Sequence, residues 1–469
     1  MQPLSSPDRP SASLFDRLNA WLRTSALIKL FVIGFLLLIL LIPTGMLQSL
    51  VAEREATRNQ AIDEVSSKWG GPQTIGGPVL TVPYLDPVRN EKGTVLQMET
   101  RYAHFLPDLL QIDGTVVPEK RNRGIFIVML YNTKLRIRGT FRRPAVESLG
   151  LSPQAMQWNK AFLSLGISDM KGIRDAVQMD VNGRSPEVSP GVPTSDILTS
   201  GVSVPVALDA DSYLVDCSLN LNGSTQLNFL PFGKETTVRL QSSWNTPSFT
   251  GSFLPEQREV NPEGFKASWR VLQFNRNYPQ QGVGNFLGRL PEPAAQTTAT
   301  ATVAPPAADT SFGVKLLLPV DEYQKTTRSV KYAAMFIILT FTAFFFIEIL
   351  AGRRIHPIQY LLVGFAICLF YLLLLAISEH LSFDRAYLIG SLVILLLTTF
   401  YVRYVFRSGR LTMLFSGMLA LLYGFFYSLL RLEDYSLLLG SLGLLLILGT
   451  IMYLTRRVDW YRTNEAVSA

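Results

Sequence analysis

The sequence predicts a membrane protein of mixed fold class, with six transmembrane α-helices in a one-plus-five arrangement and a large, mainly β, sandwich-like periplasmic domain. Apolar runs of bilayer length occur near the N-terminus and through the last third of the chain, and a polar stretch with many short β-like runs lies between them. The composition agrees with this prediction. Hydrophobic residues make up 48% and charged residues 17%, whereas about 25% of residues are charged in typical soluble domains.

The first predicted span is residues 30–51, which contain no charged residue. A hydrocarbon core of about 30 Å requires roughly 20 helical residues, so this run is long enough. A secretory signal peptide is the alternative interpretation, but the run is longer than the usual 7–15 residues and no A-x-A site follows promptly. We expect an uncleaved signal anchor that continues as an amphipathic helix and stops at Gly70-Gly71-Pro72.

Five further spans are predicted after Lys331, and short loops force consecutive helices to run antiparallel. These spans are Tyr332–Leu350, Ile358–Ser378, Ala386–Val402, Leu411–Leu430 and Ser436–Thr455. The predicted domains are a cytoplasmic tail 1–29, the span 30–51, the periplasmic domain 52–329, the five-helix block 330–455 and a cytoplasmic tail 456–469.

Loop charges predict the orientation, because Lys and Arg concentrate on the cytoplasmic side. With six spans, all four basic segments fall on one side of the membrane, which places both termini in the cytoplasm. The residues in these segments are Arg9, Arg17, Arg23, Lys29, Arg353, Arg354, Arg403, Arg407, Arg410, Arg456, Arg457 and Arg462. This distribution also accounts for the net charge of +7. Nucleic-acid binding is disfavoured, since no basic stripe is interleaved with aromatic residues.

The stretch between the first two spans is predicted to be mainly β. Residues 124–141 are rich in β-branched and aromatic residues, and apolar residues alternate there with Arg136 and Arg138. Asn222-Gly223 stands between two alternating runs and predicts a hairpin turn. We expect one or two helices in Pro153–Val177 and a disordered Pro/Ala/Thr-rich insert at 291–310.

Several segments resemble the CreD family of inner-membrane proteins. They are ER…WGGPQTIGGPVLTVPY (53–84), WNTPSFTGSFLP (244–255), GFKASW (264–269) and FGVKLLLPVDEYQKTTRSVKYA (from residue 312 into the second span). The resemblance implies a cytoplasmic-membrane protein controlled by a two-component system and linked to envelope integrity, colicin tolerance and responses to β-lactam stress. It implies no known reaction and no established catalytic site.

The residues themselves predict no catalytic, cofactor or metal site. The three histidines, His104, His356 and His380, are too scattered for a multi-histidine zinc site, and no known nucleophile or nucleotide motif is present. Cys217 and Cys368 lie in different predicted domains, so they form no disulfide framework.

Two candidate sites remain. The aromatic stretch Trp244, Phe249, Phe253, Phe265 and Trp269 is interpreted either as a surface for a sugar-containing or lipid-linked envelope ligand or as part of the β core, and the core is favoured.

Glu348 is the notable ionisable residue of the predicted helix block. Such residues are candidates for function by default. We expect Glu348 to lie near the inner edge of the membrane, where it can snorkel or pair with Arg353.

The leading functional hypothesis is a non-enzymatic envelope-maintenance protein whose β domain binds or senses a periplasmic component. The predicted partners are the lipid bilayer and an envelope component or another membrane protein. A transporter or flippase-like component working through the helix block is the alternative, and a periplasmic hydrolase acting on envelope polymers, which paired carboxylates could serve, is the third.

Overall fold

The computed structural model describes residues 26–90, 95–287, 310–316, 322–351, 355–432 and 435–456. The chain divides into two compact units, one made of Met1–Thr57 with Asp321–Ala469 and the other of Arg58–Val320. We call the described part of the first unit the helix block and that of the second the β domain.

Seven α-helices are found in the described residues. They are α1 (Ala26–Trp69), α2 (Glu322–Lys331), α3 (Ala333–Ala351), α4 (Pro357–Ser378), α5 (Phe383–Phe406), α6 (Gly409–Arg431) and α7 (Ser436–Thr455). The boundary between the two units falls within α1, between Thr57 and Arg58.

Five of the described helices, namely α1, α4, α5, α6 and α7, are long and apolar enough to cross a membrane. A sixth is added if Gln324–Lys331 and Ala333–Ile349, which meet at an angle of 42°, count as one broken span. The predicted apolar helices are therefore found, and the count of six spans stays a prediction. The separate helix α2 before the bend was not predicted.

Helix α1 confirms that the first apolar run continues as a polar helix and stops at the glycine pair. Its last residue is Trp69, and Gly70 follows with φ of +141°, a backbone conformation that favours glycine. A Cβ atom at Gly70 would lie 2.7 Å from the carbonyl oxygen of Asn222, so this position also needs the smallest residue.

Aromatic rings form the centre of the helix block. Phe336 on α3 lies 4.7 Å from Tyr423 and 5.1 Å from Phe426 on α6, and Phe370 on α4 lies 5.0 Å from Tyr423, measured between ring centroids. These contacts join three helices, and tight packing of this kind is what holds helices together where lipid removes the usual hydrophobic driving force.

The β domain contains sixteen strands in its described residues, and the prediction of a large, mainly β domain is confirmed. They are β1 (Gln73–Arg89), β2 (Val95–Phe105), β3 (Leu109–Arg123), β4 (Phe126–Arg142), β5 (Phe162–Ile167), β6 (Gln178–Val181), β7 (Ser189–Pro190), β8 (Gly201–Pro205), β9 (Ser212–Ser224), β10 (Gln226–Phe229), β11 (Glu235–Ser242), β12 (Pro247–Gly251), β13 (Gln257–Asn261), β14 (Gly264–Leu272), β15 (Gln281–Val283) and β16 (Phe312–Leu316).

These strands form two sheets whose buried side chains belong to one hydrophobic cluster. The nine-stranded sheet has the path β12-β16-β10-β1-β5-β8-β7, with β2 paired to β1 and β15 paired to β2. The seven-stranded sheet has the order β13-β14-β11-β3-β4-β9-β6. Each sheet contains one parallel pair, β1 with β10 and β3 with β11, and the other pairs are antiparallel.

The predicted hairpin at Asn222-Gly223 is wrong. Strand β9 runs through both residues to Ser224, and the chain then crosses to the other sheet at Thr225, whose φ is +58°. Gly223 is opposite Tyr131 on β4, and a Cβ atom at Gly223 would lie 2.3 Å from the Tyr131 hydroxyl oxygen. The glycine therefore makes room for a buried ring rather than forming a turn.

The predicted helices in Pro153–Val177 are also wrong. This segment contains three short 3₁₀ turns and the strand β5, all six residues of which are buried between β1 and β8. A short apolar run buried on both faces has no alternation, so periodicity alone cannot distinguish it from a helix. The predicted disordered insert 291–310 lies outside the described residues except for Thr310.

Candidate functional site on the outer face of the seven-stranded sheet

Alternating side chains give the seven-stranded sheet an apolar inner face and a polar outer face. On β4, Leu135 and Ile137 are buried while Lys134 and Arg136 are exposed. Strands β9, β11 and β14 show the same alternation of buried and accessible residues. Since successive side chains of a strand point to opposite faces, the polar positions of all these strands share the outer face.

Strand register aligns these polar residues into rows that cross the sheet. One row runs Gln257–Ser268–Arg239–Asp113–Arg136–Ser218–Gln178. The next runs Glu259–Lys266–Gln241–Thr115–Lys134–Asn220, and we call it the lysine row. Directly opposite residues on neighbouring strands have Cβ atoms about 4.5–5.5 Å apart, so each row is a continuous line of polar groups.

A cleft of about 1010 Å³ lies over these two rows. Its lining comes from six strands, β13, β14, β11, β3, β4 and β9, together with Gln178 of β6 and the nearby Asp175 and Ala176. With neighbouring strands about 4.8 Å apart, the distance from β13 to β9 is roughly 24 Å. The cleft is therefore long enough for an extended ligand that crosses the strands.

Most of the carboxylates in and beside the cleft already have partners. Asp113 accepts hydrogen bonds from Arg138 at 2.6 Å and from Arg239 at 3.3 Å. Arg136 donates to Asp216 at 2.6 Å, and this hydrogen bond lowers the pKa of the Asp216 carboxyl. The acids at the centre of the sheet are therefore bound by arginine and are poorly placed to receive an additional cation.

Two cations of the lysine row are unpaired. Lys134 and Lys266 are exposed and have no ion-pair partner among the described residues. Glu259 lies directly opposite Lys266 in register but makes no ion pair with it. The cleft thus offers two accessible ammonium groups, with the amide of Gln241 and the hydroxyl of Thr115 between them in the row.

The predicted aromatic stretch lies in the interior of the β domain. Trp269 is fully buried and Trp244 and Phe265 nearly so, while Phe249 and Phe253 are partly buried against the same core. The ring centroids of Phe249 and Trp269 are 5.7 Å apart, and the indole nitrogen of Trp269 donates to the carbonyl oxygen of Phe253 at 3.2 Å. These contacts match the core interpretation, and a ligand role for these rings stays an untested prediction.

His104 is a buried residue of β2 and lies directly opposite Thr81 of β1. Its Nδ1 is 2.9 Å from the Thr81 hydroxyl and its Nε2 is 3.1 Å from an Asp196 carboxylate oxygen. Burial lowers the pKa of His104, and the neighbouring Asp196 opposes that change. The order hydroxyl–imidazole–carboxylate is that of a catalytic triad. However, Thr81 is only 2% exposed, so its hydroxyl cannot reach a substrate in this conformation.

Glu348 is a buried ion-pair partner rather than a snorkelling residue. Its carboxylate accepts from the Lys29 ammonium at 2.6 Å, the Tyr360 hydroxyl at 2.7 Å and the backbone N–H of Ile355 at 3.1 Å. The Glu348 side chain is 3% exposed. In this structure the carboxylate is paired with Lys29 instead of extending toward water, and its predicted place near the inner edge of the membrane stays a prediction. Arg353, the predicted partner, lies outside the described residues.

The sequence interpretation missed the cleft, although one of its signals was visible. Arg136 and Arg138 alternate with apolar residues, which indicates a half-exposed strand but not its neighbours. The lysine row exists only after six strands are aligned, and its two lysines are 132 positions apart in the chain. Among the described residues, no group of three or more His, Cys, Asp or Glu side chains could hold a metal ion.

A family model and a known relative both match nearly the whole chain. The family model described as "Inner membrane protein CreD" matches residues 25–461. The inner membrane protein CreD of Escherichia coli (strain K12) is 34% identical over 433 residues, which cover 90% of this chain and 91% of that protein. A structure of yeast LTA4 hydrolase in complex with bestatin aligns with 35% of this chain and 26% of that one, at 8% identity and a TM-score of 0.17, and supports no conclusion about fold or function.

Proposed function

Because the chain belongs to the CreD family of inner membrane proteins, we propose that it supports the integrity of the cell envelope by binding or sensing an envelope component, and not by catalysis. We further propose six membrane spans, both termini in the cytoplasm and the β domain in the periplasm. The distribution of Lys and Arg in the loops supports this orientation. In this arrangement the β domain faces the compartment in which envelope polymers are assembled.

The observation that carries the binding role is the polar cleft on the seven-stranded sheet. Six strands present two rows of hydrogen-bonding side chains on this face over about 24 Å. Most of the lining residues are polar or charged, which suits a ligand rich in hydrogen-bonding groups. The cleft supports binding of an extended polar ligand.

Neither of the other two hypotheses has comparable support. A hydrolase of the predicted kind would use two paired carboxylates, and the cleft acids Asp113 and Asp175 already accept hydrogen bonds from arginine and asparagine side chains. A hydrolase working through His104 would need an accessible nucleophile, and Thr81 is buried. A transporter that worked through Glu348 would need this residue to exchange partners during its cycle, and Glu348 accepts hydrogen bonds from Lys29 on α1 and from Ile355 and Tyr360 around the start of α4.

The binding role is tested by complementation of a strain that lacks the gene. The test variant is Lys134→Gln/Lys266→Gln, and the matched control is Lys171→Gln/Lys315→Gln, two exposed lysines of the β domain that do not line the cleft. Survival in a detergent and in a β-lactam is measured at equal protein levels in the membrane. We expect the control to restore survival and the cleft variant to fail. Full complementation by the cleft variant would show that the protein does not need the cleft lysines for its function.

The proposed orientation has its own test. Reporter fusions at positions within residues 100–280 should be active only for a periplasm-specific reporter. Activity of a cytosol-specific reporter at these positions would reverse the topology and with it the proposed role of the β domain.

A further inference from the structure

Resting on the proposed binding role of the β domain, we infer that the lysine row is a site for an acidic oligosaccharide that lies across the strands. Lys266 and Lys134 supply the contacts to its anionic groups, and the side chains between them hydrogen-bond its hydroxyl groups.

The geometry of the row sets the spacing of the ligand's charges. Lys266 is on β14 and Lys134 is on β4, with β11 and β3 between them. Three steps of about 4.8 Å place the two lysine backbones roughly 14 Å apart. Gln241 and Thr115 occupy the two intermediate positions, and the amide nitrogen of Gln241 donates to the Thr115 hydroxyl at 3.0 Å. A ligand that fits carries negative groups at both ends of a hydroxyl-bearing stretch.

Charge favours an anion over a cation at this site. The described residues of the lining include five Lys or Arg residues and three Asp or Glu residues. Of the three acids, Asp113 is bound by two arginines and Asp175 accepts from the Asn220 side chain. Glu259 remains at one end of the lysine row. Apart from Glu259, the accessible charges of the lysine row are the ammonium groups of Lys266 and Lys134, and an ammonium group attracts carboxylate or phosphate groups as a point charge.

The composition of the lining argues against a neutral sugar. Among the described residues that line the cleft, none is aromatic. Rings supply a flat apolar surface for stacking, and a neutral oligosaccharide without such rings would depend on hydrogen bonds that merely replace those it makes with water. Charged groups add contacts that are roughly twice as strong as neutral hydrogen bonds.

Position in the sheet argues against an acidic peptide. A peptide usually binds a sheet by adding a strand at an edge, where backbone groups are free. Between Lys266 and Lys134 the row crosses β14, β11, β3 and β4, which all lie between two neighbouring strands and use their backbone groups within the sheet; the edge strand β13 contributes only Glu259 to the row, and its negative charge disfavours an acidic peptide there. Only side chains are available there, and they are amides, hydroxyls and ammonium groups, which suit the hydroxyl and acid groups of a sugar chain.

Binding to the full-length protein in nanodiscs of phosphatidylcholine, measured by isothermal titration calorimetry, tests the inference. The probe is hexagalacturonate, and the comparison ligands are maltohexaose, which lacks the charge, and hexaglutamate, which has the charge on a peptide. We expect hexagalacturonate to bind at least tenfold more tightly than either. Raising the salt concentration from 50 to 300 mM should weaken its binding, because exposed ionic contacts are screened.

Three variants identify the site. Lys134→Gln/Lys266→Gln should lose at least tenfold in affinity for hexagalacturonate, and Lys134→Arg/Lys266→Arg should keep most of it because the charge is retained. The control Lys171→Gln/Lys315→Gln should bind like the wild type. These lysines are exposed and have no ion-pair partner among the described residues, so their substitution should leave the free energy of unfolding within about 0.5 kcal/mol of that of the wild type.

Each contrary result overturns the inference in a recognisable way. Equal binding of hexaglutamate would assign the row to an acidic protein segment, and equal binding of maltohexaose would show that charge is not recognised. Absence of hexagalacturonate binding, or unchanged binding by the cleft variant, would also refute it. If the purified protein fails to bind while the cleft variant still fails in complementation, the ligand chemistry is wrong and the binding role survives. If the cleft variant complements fully, the proposed function itself falls.

Discussion

Replacement of Glu348 by alanine should lower the free energy of opening of the helix block by several kcal/mol. The substitution removes the acceptor for the Lys29 ammonium, the Tyr360 hydroxyl and the Ile355 N–H. Tyr360 is 2% exposed and Ile355 7%, so two donors are left buried without a partner, at about 1–3 kcal/mol each. Lys29 is 34% exposed and can turn toward water, which reduces the electrostatic cost of leaving its ammonium group without Glu348. The helix block should therefore lose about 3–5 kcal/mol of stability, which is the range for removing one partner of a buried ion pair.

The two cysteines provide a suitable assay because each lies in a different unit and is buried. Cys368 is on α4 in the helix block and is 7% exposed, while Cys217 is on β9 in the β domain and is 1% exposed. In a Cys217→Ala background, the rate at which a thiol reagent labels Cys368 reports opening of the helix block alone. Labelling that requires this opening should accelerate by about 150- to 4,000-fold, at 1.4 kcal/mol for each factor of ten. Glu53→Gln, an exposed acid of the same unit, is the control and should leave the rate unchanged.

A double-mutant cycle with Lys29→Met then isolates the ion pair. Each single variant leaves one partner without the other, so the double variant should be less destabilised than the sum of the two, by about 0.5–3 kcal/mol. A labelling rate in Glu348→Ala within threefold of the parent would refute the anchoring role. Strict additivity in the cycle would show that Lys29 and Glu348 do not act together.

Two further predictions concern the β domain. Burial lowers the pKa of His104, so the unfolded state binds the proton more readily and the free energy of unfolding should fall as pH decreases below about 6.5. Urea unfolding of the full chain, followed by tryptophan fluorescence, should show this dependence between pH 6.5 and 5, and His104→Gln should flatten it. Parallel pH profiles for the two proteins would contradict the assignment. Trp269→Ala should lower the free energy of unfolding by about 3–5 kcal/mol, because the ring is fully buried and its indole N–H donates a hydrogen bond to the Phe253 carbonyl oxygen. Phe274→Ala, at a side chain that is 87% exposed, should leave the urea midpoint nearly unchanged. Equal small effects at both positions would refute the core role of Trp269.

Local signals in the sequence predicted those elements whose causes are local. The apolar helices follow from length and composition, and α1 ends at Trp69 because Gly70 has a backbone conformation that other residues rarely adopt. Strand β4 follows from its alternation. Each of these depends on residues within one segment, so the sequence alone contains the required information.

The failures have tertiary causes. Asn222-Gly223 has the composition of a turn, but Gly223 is required by the ring of Tyr131, which is 92 positions away. The partner of Glu348 is separated from it by 319 positions. The cleft depends on the parallel pairing of β3 with β11, and no local pattern reveals which distant strand a given strand will join.

The order in which the strands are connected has a consequence for biosynthesis. In the nine-stranded sheet β16, the last strand, lies between β12 and β10, and β1, the first, pairs in parallel with β10. A nascent chain therefore cannot complete this sheet until residue 316 has been made, and the earlier strands keep unpaired edges while they wait. Such edges recruit other chains, and non-local pairing is slow. Truncated or stalled chains of this protein should consequently be aggregation-prone substrates for chaperones and proteases.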